Sequence, residues 1–291
     1  MADAVLLALA TGFLFGVLAV GMRFGLERLP DPELGAFQNL VVGFAVAFLA
    51  TAAAGQLGEL NWSDIWPFLA LGIIAPGVTQ VMFIFALRDI GASRTMVIYG
   101  GLPLASSIGA VLFLDEPLRY ALVIGTLLVV GGAILLAYDP IKPKDYRATG
   151  LAWALSSIVL FAGRDNLSRW LTTDREIPAI SGAATALAGG TVAILIYLLL
   201  TRRGQRPLMQ IARSVRPFLV ASVAFGLAYV ALLEAFARGE VTLVAPIGGT
   251  YALWTVVLSV AFLRATEAVT RRLVLAGVLI VAGAAVVAAT Q

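Results

Sequence analysis

The run FAGRDNLSRW, Phe161 to Trp170, sets two opposite charges and a neutral amide side by side within an otherwise apolar stretch. Arg164 offers a planar guanidinium whose donor fork fits a carboxylate in bidentate fashion, and Asn166 adds a neutral hydrogen-bonding group. Asp165 is a candidate carrier of a coupled proton, the role that carboxylates buried in spans commonly take. Successive helical residues point about 100° apart, so Arg164 and Asp165 are expected on different faces. Asp165 then turns toward Arg169 one turn on, and Arg164 is left without a local partner. The competing reading is structural: an Asp165–Arg169 pair, with Arg164 reaching toward lipid headgroups. Glu234 and Arg238 share the same i,i+4 spacing and read as a structural pair.

Two further groups of residues break apolar runs at related places. Gly100-Gly101 with Pro103, and Pro246 with Gly248-Gly249, interrupt IYGGLPL and PIGGTYA. Paired Gly or Pro interruptions point to a ligand site at mid-membrane depth, while close helix packing is the alternative. Beside them, Tyr99, Tyr251 and Trp254 could form an aromatic wall for an apolar or cationic solute, or face lipid. Gly12, Gly16, Gly21 and Gly25 form GxxxG patterns that packing explains. Gly125, Gly131, Gly277 and Gly283 are likewise read as helix contacts, between halves or between protomers.

The elements that must position these residues follow from composition. Of 291 residues 60% are hydrophobic and 13% charged, with a mean hydropathy of +0.96, more apolar surface than a soluble core can hide. In hydrocarbon the backbone must satisfy its own hydrogen bonds, and without barrel-like alternation that means helices. Ten segments of near-spanning length run Ala4–Met22, Leu34–Ala54, Ile65–Leu87, Ala92–Leu114, Tyr120–Tyr138, Gly150–Leu171, Ile177–Leu200, Pro217–Phe236, Val241–Leu263 and Leu273–Thr290. The N-terminus, Met1-Ala2-Asp3, lacks a basic n-region and is read as leading into the first span rather than a cleaved leader. With no Cys and no His, thiol nucleophiles, imidazole bases, disulfides and common zinc sites are excluded. No GxxxxGK[ST] phosphate loop occurs. The expectation is therefore an all-α integral membrane protein that is not an enzyme and carries neither cofactor nor metal.

The halves resemble each other. Gly91, Gly100 and Gly101 match Gly239, Gly248 and Gly249 at a shift of 148, GTLLVVGG from Gly125 matches GVLIVAGA from Gly277 at 152, and Phe15, Gly16 and Arg23 align with Phe161, Ala162 and Arg169 at 146. This divides the chain into repeats 1–138 and 150–291 joined by 139–149. Five spans per repeat is an odd number, so the second copy enters the bilayer from the opposite side: the ten helices form two inverted five-helix repeats, a plan used for alternating access. Of the 20 Lys and Arg, 15 lie in loops after odd-numbered spans, including Lys142, Lys144, Arg202, Arg203 and Arg206, and 5 on the other side. Orientation in a membrane accounts for them better than nucleic acid does, and places both termini outside the cytoplasm.

The stretch FALRDIGASRTMVIYGGLPLASSIGAVLFLDEPL, Phe85 to Leu118, and its counterpart AFARGEVTLVAPIGGTYALWTVVLSVAFLRATEAVT resemble the drug/metabolite transporter superfamily, in particular ten-helix transporters with two EamA domains. Ala86-Leu87-Arg88, Pro103 and Glu116 carry the pattern in the first half, and Glu267 stands where Glu116 does in the second. The resemblance implies a bundle with a central cavity shared by both halves. It also implies a small-molecule solute such as an amino acid or similar amphipathic metabolite, often exported, with a coupled proton as a candidate energy source. Membrane lipid is the other partner, and a bacterial inner membrane the expected location. Two departures stand out: GQLGELNWSD after the second span has no Lys or Arg, and Arg264-Ala265-Thr266 lengthens the second-half motif before Glu267.

Overall fold

The computed structural model describes residues 2–59, 61–113, 120–137, 146–175, 178–202, 207–238, 244, 247–263 and 270–289. Pro246, Glu116, Glu267, Gly239, Lys142, Lys144, Arg203, Arg206 and most of the 139–149 connection lie outside them, as does the side chain of Arg169. Among the described residues every regular element is helical. In chain order these are α1 (Ala2–Arg28), α2 (Pro32–Ala53), α3 (Trp62–Gly72), α4 (Thr79–Ile90), α5 (Ala92–Tyr99) and α6 (Leu102–Phe113). Then follow α7 (Tyr120–Ala137), α8 (Thr149–Arg175), α9 (Ala179–Thr201), α10 (Pro207–Arg238), α11 (Tyr251–Phe262) and α12 (Arg271–Ala289).

Five stretches are long and apolar enough to cross a bilayer: Asp3–Arg28, Pro32–Ala53, Ile65–Ile90, Ala179–Thr201 and Leu208–Arg238. Two of the other expected spans differ for visible reasons. Gly100 and Gly101 divide the fourth into α5 and α6, and α8 carries Arg164, Asp165, Arg169 and Asp174 along its 27 residues. Leu6, Leu49, Leu127, Val159, Val220 and Phe262 are exposed on the outside, as expected of helices solvated by lipid tails rather than water.

Two boundaries depart from the sequence reading. The third span is interrupted over Ile73–Val78, where Ala75 leaves helical geometry (φ −141°, ψ 111°) ahead of Pro76; proline disfavours the α conformation in the residue before it. The eighth segment starts at Pro207, ten residues earlier than hydropathy implies. Arg213 and Arg216 make this stretch resemble a loop, but Pro207 opens it at a helix N-terminus. Gln38 Nε2 of α2 then donates to Ile211 O at 2.9 Å and to Ser214 Oγ at 2.8 Å, fixing its first turns in the bundle.

Packing runs across the halves. α1 lies along α10 and α11, α2 along α9 and α10, α4 and α6 along α8, and α7 along α12. The GxxxG glycines of α1 supply the close approaches: a Cβ on Gly16 would sit 2.8 Å from Trp254 Cβ, and one on Gly25 2.2 Å from the Phe218 ring. Gly277 touches Val97. A Cβ on Gly131 would meet nothing within 4 Å among the described residues.

One end of the bundle is tied by polar contacts. Arg202, closing α9, holds Asp31 through two hydrogen bonds of 2.6 and 2.9 Å and Glu33 through one of 2.6 Å. The hydrogen bonds to Asp31 raise the Arg202 pKa above its ordinary value, burial acting the other way. Arg23 donates to the Leu87 and Arg88 carbonyls at 3.5 and 3.3 Å. Ser222 Oγ donates to Asn39 Oδ1 at 3.0 Å.

Candidate functional site

The site is built outward from α8. Arg164 is 7% exposed, and its Nε and Nη2 both donate to Asp165 Oδ1, at 3.0 and 2.5 Å. This corrects the expectation that Arg164 lacks a local partner. Neighbouring Cβ atoms do diverge, but the long guanidinium stem curls back far enough for its fork to reach the adjacent carboxylate. Ser106 Oγ of α6 donates to the other oxygen, Oδ2, at 3.2 Å. The guanidinium carbon lies 4.8 Å from the Phe161 ring centroid and 5.4 Å from that of Tyr229, so aromatic faces cover what the carboxylate leaves open. Glu234 and Arg238 pair at 2.6 Å, as their spacing predicts.

The two glycine breaks meet through tyrosines. Tyr251, which opens α11 after Gly248-Gly249, donates its hydroxyl to the backbone carbonyl of Tyr99, just before Gly100-Gly101. Ser157 Oγ donates to Ala154 O at 2.8 Å, which leaves it to accept from the Tyr99 hydroxyl. The Tyr99 ring meets Phe83 edge-on at 5.1 Å and Phe161 at 6.1 Å, and Tyr251 meets Phe15 at 6.1 Å.

Together these groups line a cavity of about 80 Å³. Its walls carry rings from both halves of the chain: Phe15, Phe83 and Tyr99 from the first, Phe161, Tyr229 and Tyr251 from the second. Of the residues singled out by sequence, Arg164, Asp165, Tyr99, Tyr251, Gly248 and Gly249 line it. The other four do not. Gly100 and Gly101 are buried behind Tyr99, with the Gly100 N–H held by Met96 O at 3.0 Å. Trp254 packs edge-on against Phe13 at 5.4 Å on the outer face. Asn166 donates to Ser106 O and Ala162 O and faces a separate groove between α6 and α8. Among the described residues no cluster of three His, Cys, Asp or Glu could hold a metal ion.

Sequence reading misses Gln80 and Tyr229, which also line the cavity. Gln80 is the one amide in its apolar run and follows Pro76-Gly77, a usable signal; Tyr229 stands in a continuous apolar stretch with no such mark. A Cβ added at Gly248 would meet nothing within 4 Å among the described residues. Gly248→Leu is therefore expected to fold normally while filling the cavity and reducing solute flux at least about tenfold; melting temperature together with vesicle uptake checks both halves of that expectation.

A bundle of apolar helices around an aromatic cavity, with a buried charge pair in its wall, is the architecture of a multi-pass membrane protein. Comparison with known proteins gives the family. The EamA-like transporter family matches residues 3–138 and 148–289, and the chain belongs to it. It is similar to the uncharacterized transporter YwfM of Bacillus subtilis, 25% identical over 205 residues and 68% of each chain. It is also similar to a WAT1-related protein of Arabidopsis thaliana, 27% identical over half of this chain. That match spans 46% of the plant protein's own length. A crystal structure of another protein superposes with a TM-score of 0.59, covering 98% of this chain and 96% of that one at 22% identity, a likeness of fold.

Proposed function

We propose that the chain carries a small amphipathic solute, an amino acid or a close analogue, by alternating access between two inverted five-helix repeats, 1–138 and 150–291, that together cross the membrane ten times. The observation that carries this reading is the cavity: aromatic rings from both halves surround an Arg164–Asp165 pair with no net charge. Aromatic walls suit an apolar body. A neutral pair of opposite charges suits a zwitterionic head better than a lone ion, because each end of the head can take over one partner of the pair without leaving a charge uncompensated.

The polar ties of Arg202, Arg23 and Gln38 hold helices of the bundle together, and in the proposed cycle their parting opens the other access state. Export is the proposed net direction, with Asp165 taking up the coupled proton once a solute draws Arg164 away. The test is uptake into proteoliposomes of phenylalanine, phenethylamine and phenylpropionate, with and without a pH gradient. The zwitterion is expected to be preferred, and preference for the amine alone overturns the reading.

Both termini are proposed to be outside the cytoplasm of a bacterial cell, from the distribution of Lys and Arg. A reporter that is active only in the cytoplasm, fused after Gln291, is expected to be silent; a bright signal reverses the orientation.

A further inference from the structure

Gln80 stands in the first turn of α4, directly after the Ile73–Val78 interruption. It lies ten residues from the end of α4 at Ile90, about 15 Å along the axis at 1.5 Å per residue, half the thickness of a ~30 Å hydrocarbon core. Its side chain is 1% exposed, yet Nε2 has no hydrogen-bond partner among the described residues. Buried amide donors are almost always satisfied, and the exceptions call for a reason. Two other side-chain nitrogens among the described residues share this condition, Arg23 Nε and Asn39 Nδ2. Neither lines the cavity, whereas Gln80 does.

Most of the other side-chain donors of the cavity already have acceptors. Arg164 gives Nε and Nη2 to Asp165 and stacks between two rings. The Tyr99 hydroxyl is taken by Ser157, the Tyr251 hydroxyl by the Tyr99 carbonyl. Thr11 donates to Leu7 O at 2.8 Å. Gln80 is thus a donor at cavity depth left waiting for an acceptor that none of the described residues supplies.

Resting on the transport reading above, we propose that Gln80 is the specificity-determining residue for the acceptor end of the solute: its Nε2 donates to a carboxylate or carbonyl oxygen while the aromatic walls hold the apolar body. The side-chain amide is neutral, so it recognises the oxygen without requiring the Arg164–Asp165 pair to open first. The pair then responds to a solute already oriented. A site built to hydrogen-bond one group discriminates strongly against analogues that lack it.

The experiment uses the full chain in proteoliposomes and the three probes already named. Gln80→Met keeps length and removes the amide. It is expected to raise KM about tenfold or more for phenylalanine and phenylpropionate, to leave phenethylamine within about twofold, and to keep or raise the melting temperature, because no native hydrogen bond is lost. Gln80→Glu places like charge against the carboxylate and is expected to disfavour phenylpropionate further. An equal change for all three probes, or a fall in melting temperature without a change in selectivity, overturns the assignment and returns Gln80 to a packing role. If the wild-type chain moves none of the probes and shows no thermal shift with any, both the transport reading for this solute class and the role of Gln80 fail. Transport by the wild type with unaltered selectivity in both variants removes the Gln80 proposal alone.

Discussion

Arg164→Met and Asp165→Leu, made singly, are each expected to destabilise the protein by about 3 to 5 kcal/mol, while the double variant returns close to wild-type stability and transports nothing. The pair is nearly dry: the side chains are 8% and 13% exposed and 2.5 Å apart. Removing one partner strands the other charge with no second counter-ion among the described residues, whereas exchanging both for apolar groups of similar size is often neutral or stabilising. For a chain of this length such a loss corresponds to a fall in melting temperature on the order of 10 °C. A double-mutant cycle of thermal melts in detergent isolates the coupling. Arg164→Lys adds a control, since lysine keeps the charge but offers neither the fork nor the flat face that Phe161 and Tyr229 cover. Single variants that melt like the wild type, or a double variant no more stable than either single, would show that the pair is not coupled as its geometry implies. Normal transport by the double variant would remove the pair from the solute path while leaving its structural role intact.

The sequence makes some of this arrangement legible and hides the rest for physical reasons. Hydropathy alone locates α1, α2 and α9, because an apolar run of spanning length has few other uses. It also carries Ile65–Leu87 as one unbroken span, although Pro76 and Gly77 stand in it, because averaging over a window erases a six-residue interruption. Arg164, Asp165, Tyr99, Tyr251, Gly248 and Gly249 can be picked out because a charge, a phenol or a paired glycine is conspicuous in a lipid-soluble stretch, and all six line the cavity. Trp254 is equally conspicuous and faces outward at 38% exposure. In water the polar face of a helix would tell these cases apart. A helix apolar all round has no such face, so its inward and outward aromatics look alike until the neighbours are placed. The Arg164–Asp165 contact is hidden for another reason, since Cβ directions do not limit a side chain as long as arginine.

Gly72→Ala and Gly189→Ala are expected to abolish the folded state rather than alter selectivity, for a reason that rests on backbone atoms alone. A Cβ at Gly72 would lie 1.9 Å from Ala186 O, and one at Gly189 would lie 2.1 Å from Leu69 O. Ordinary contact begins near 3.4 Å, so either methyl forces α3 and α9 apart by more than about 1 Å. A gap of that size forfeits a quarter to half of each dispersion contact along the seam, and dispersion is the main attraction between helices whose alternative neighbour is lipid. A rotamer change gives no escape, because the obstacles are carbonyls held in helices. Gly77 and Gly190 tighten the same crossing, with a Cβ on Gly190 only 3.0 Å from Gly72 O. The small-residue run SGAATALAGGT, Ser181 to Thr191, announces a close approach, but its partner cannot be named until α3 is seen against it. Gly163 is the contrasting case: it is helical and exposed, and an added Cβ meets nothing within 4 Å among the described residues. Gly163→Ala should therefore gain up to about 1 kcal/mol of helix propensity. Size-exclusion profiles and melts of the three variants decide the point: two aggregated proteins beside one as stable as the wild type or more so. Monodisperse, normally melting Gly72→Ala and Gly189→Ala proteins would mean that the α3 and α9 backbones can separate without loss of the fold.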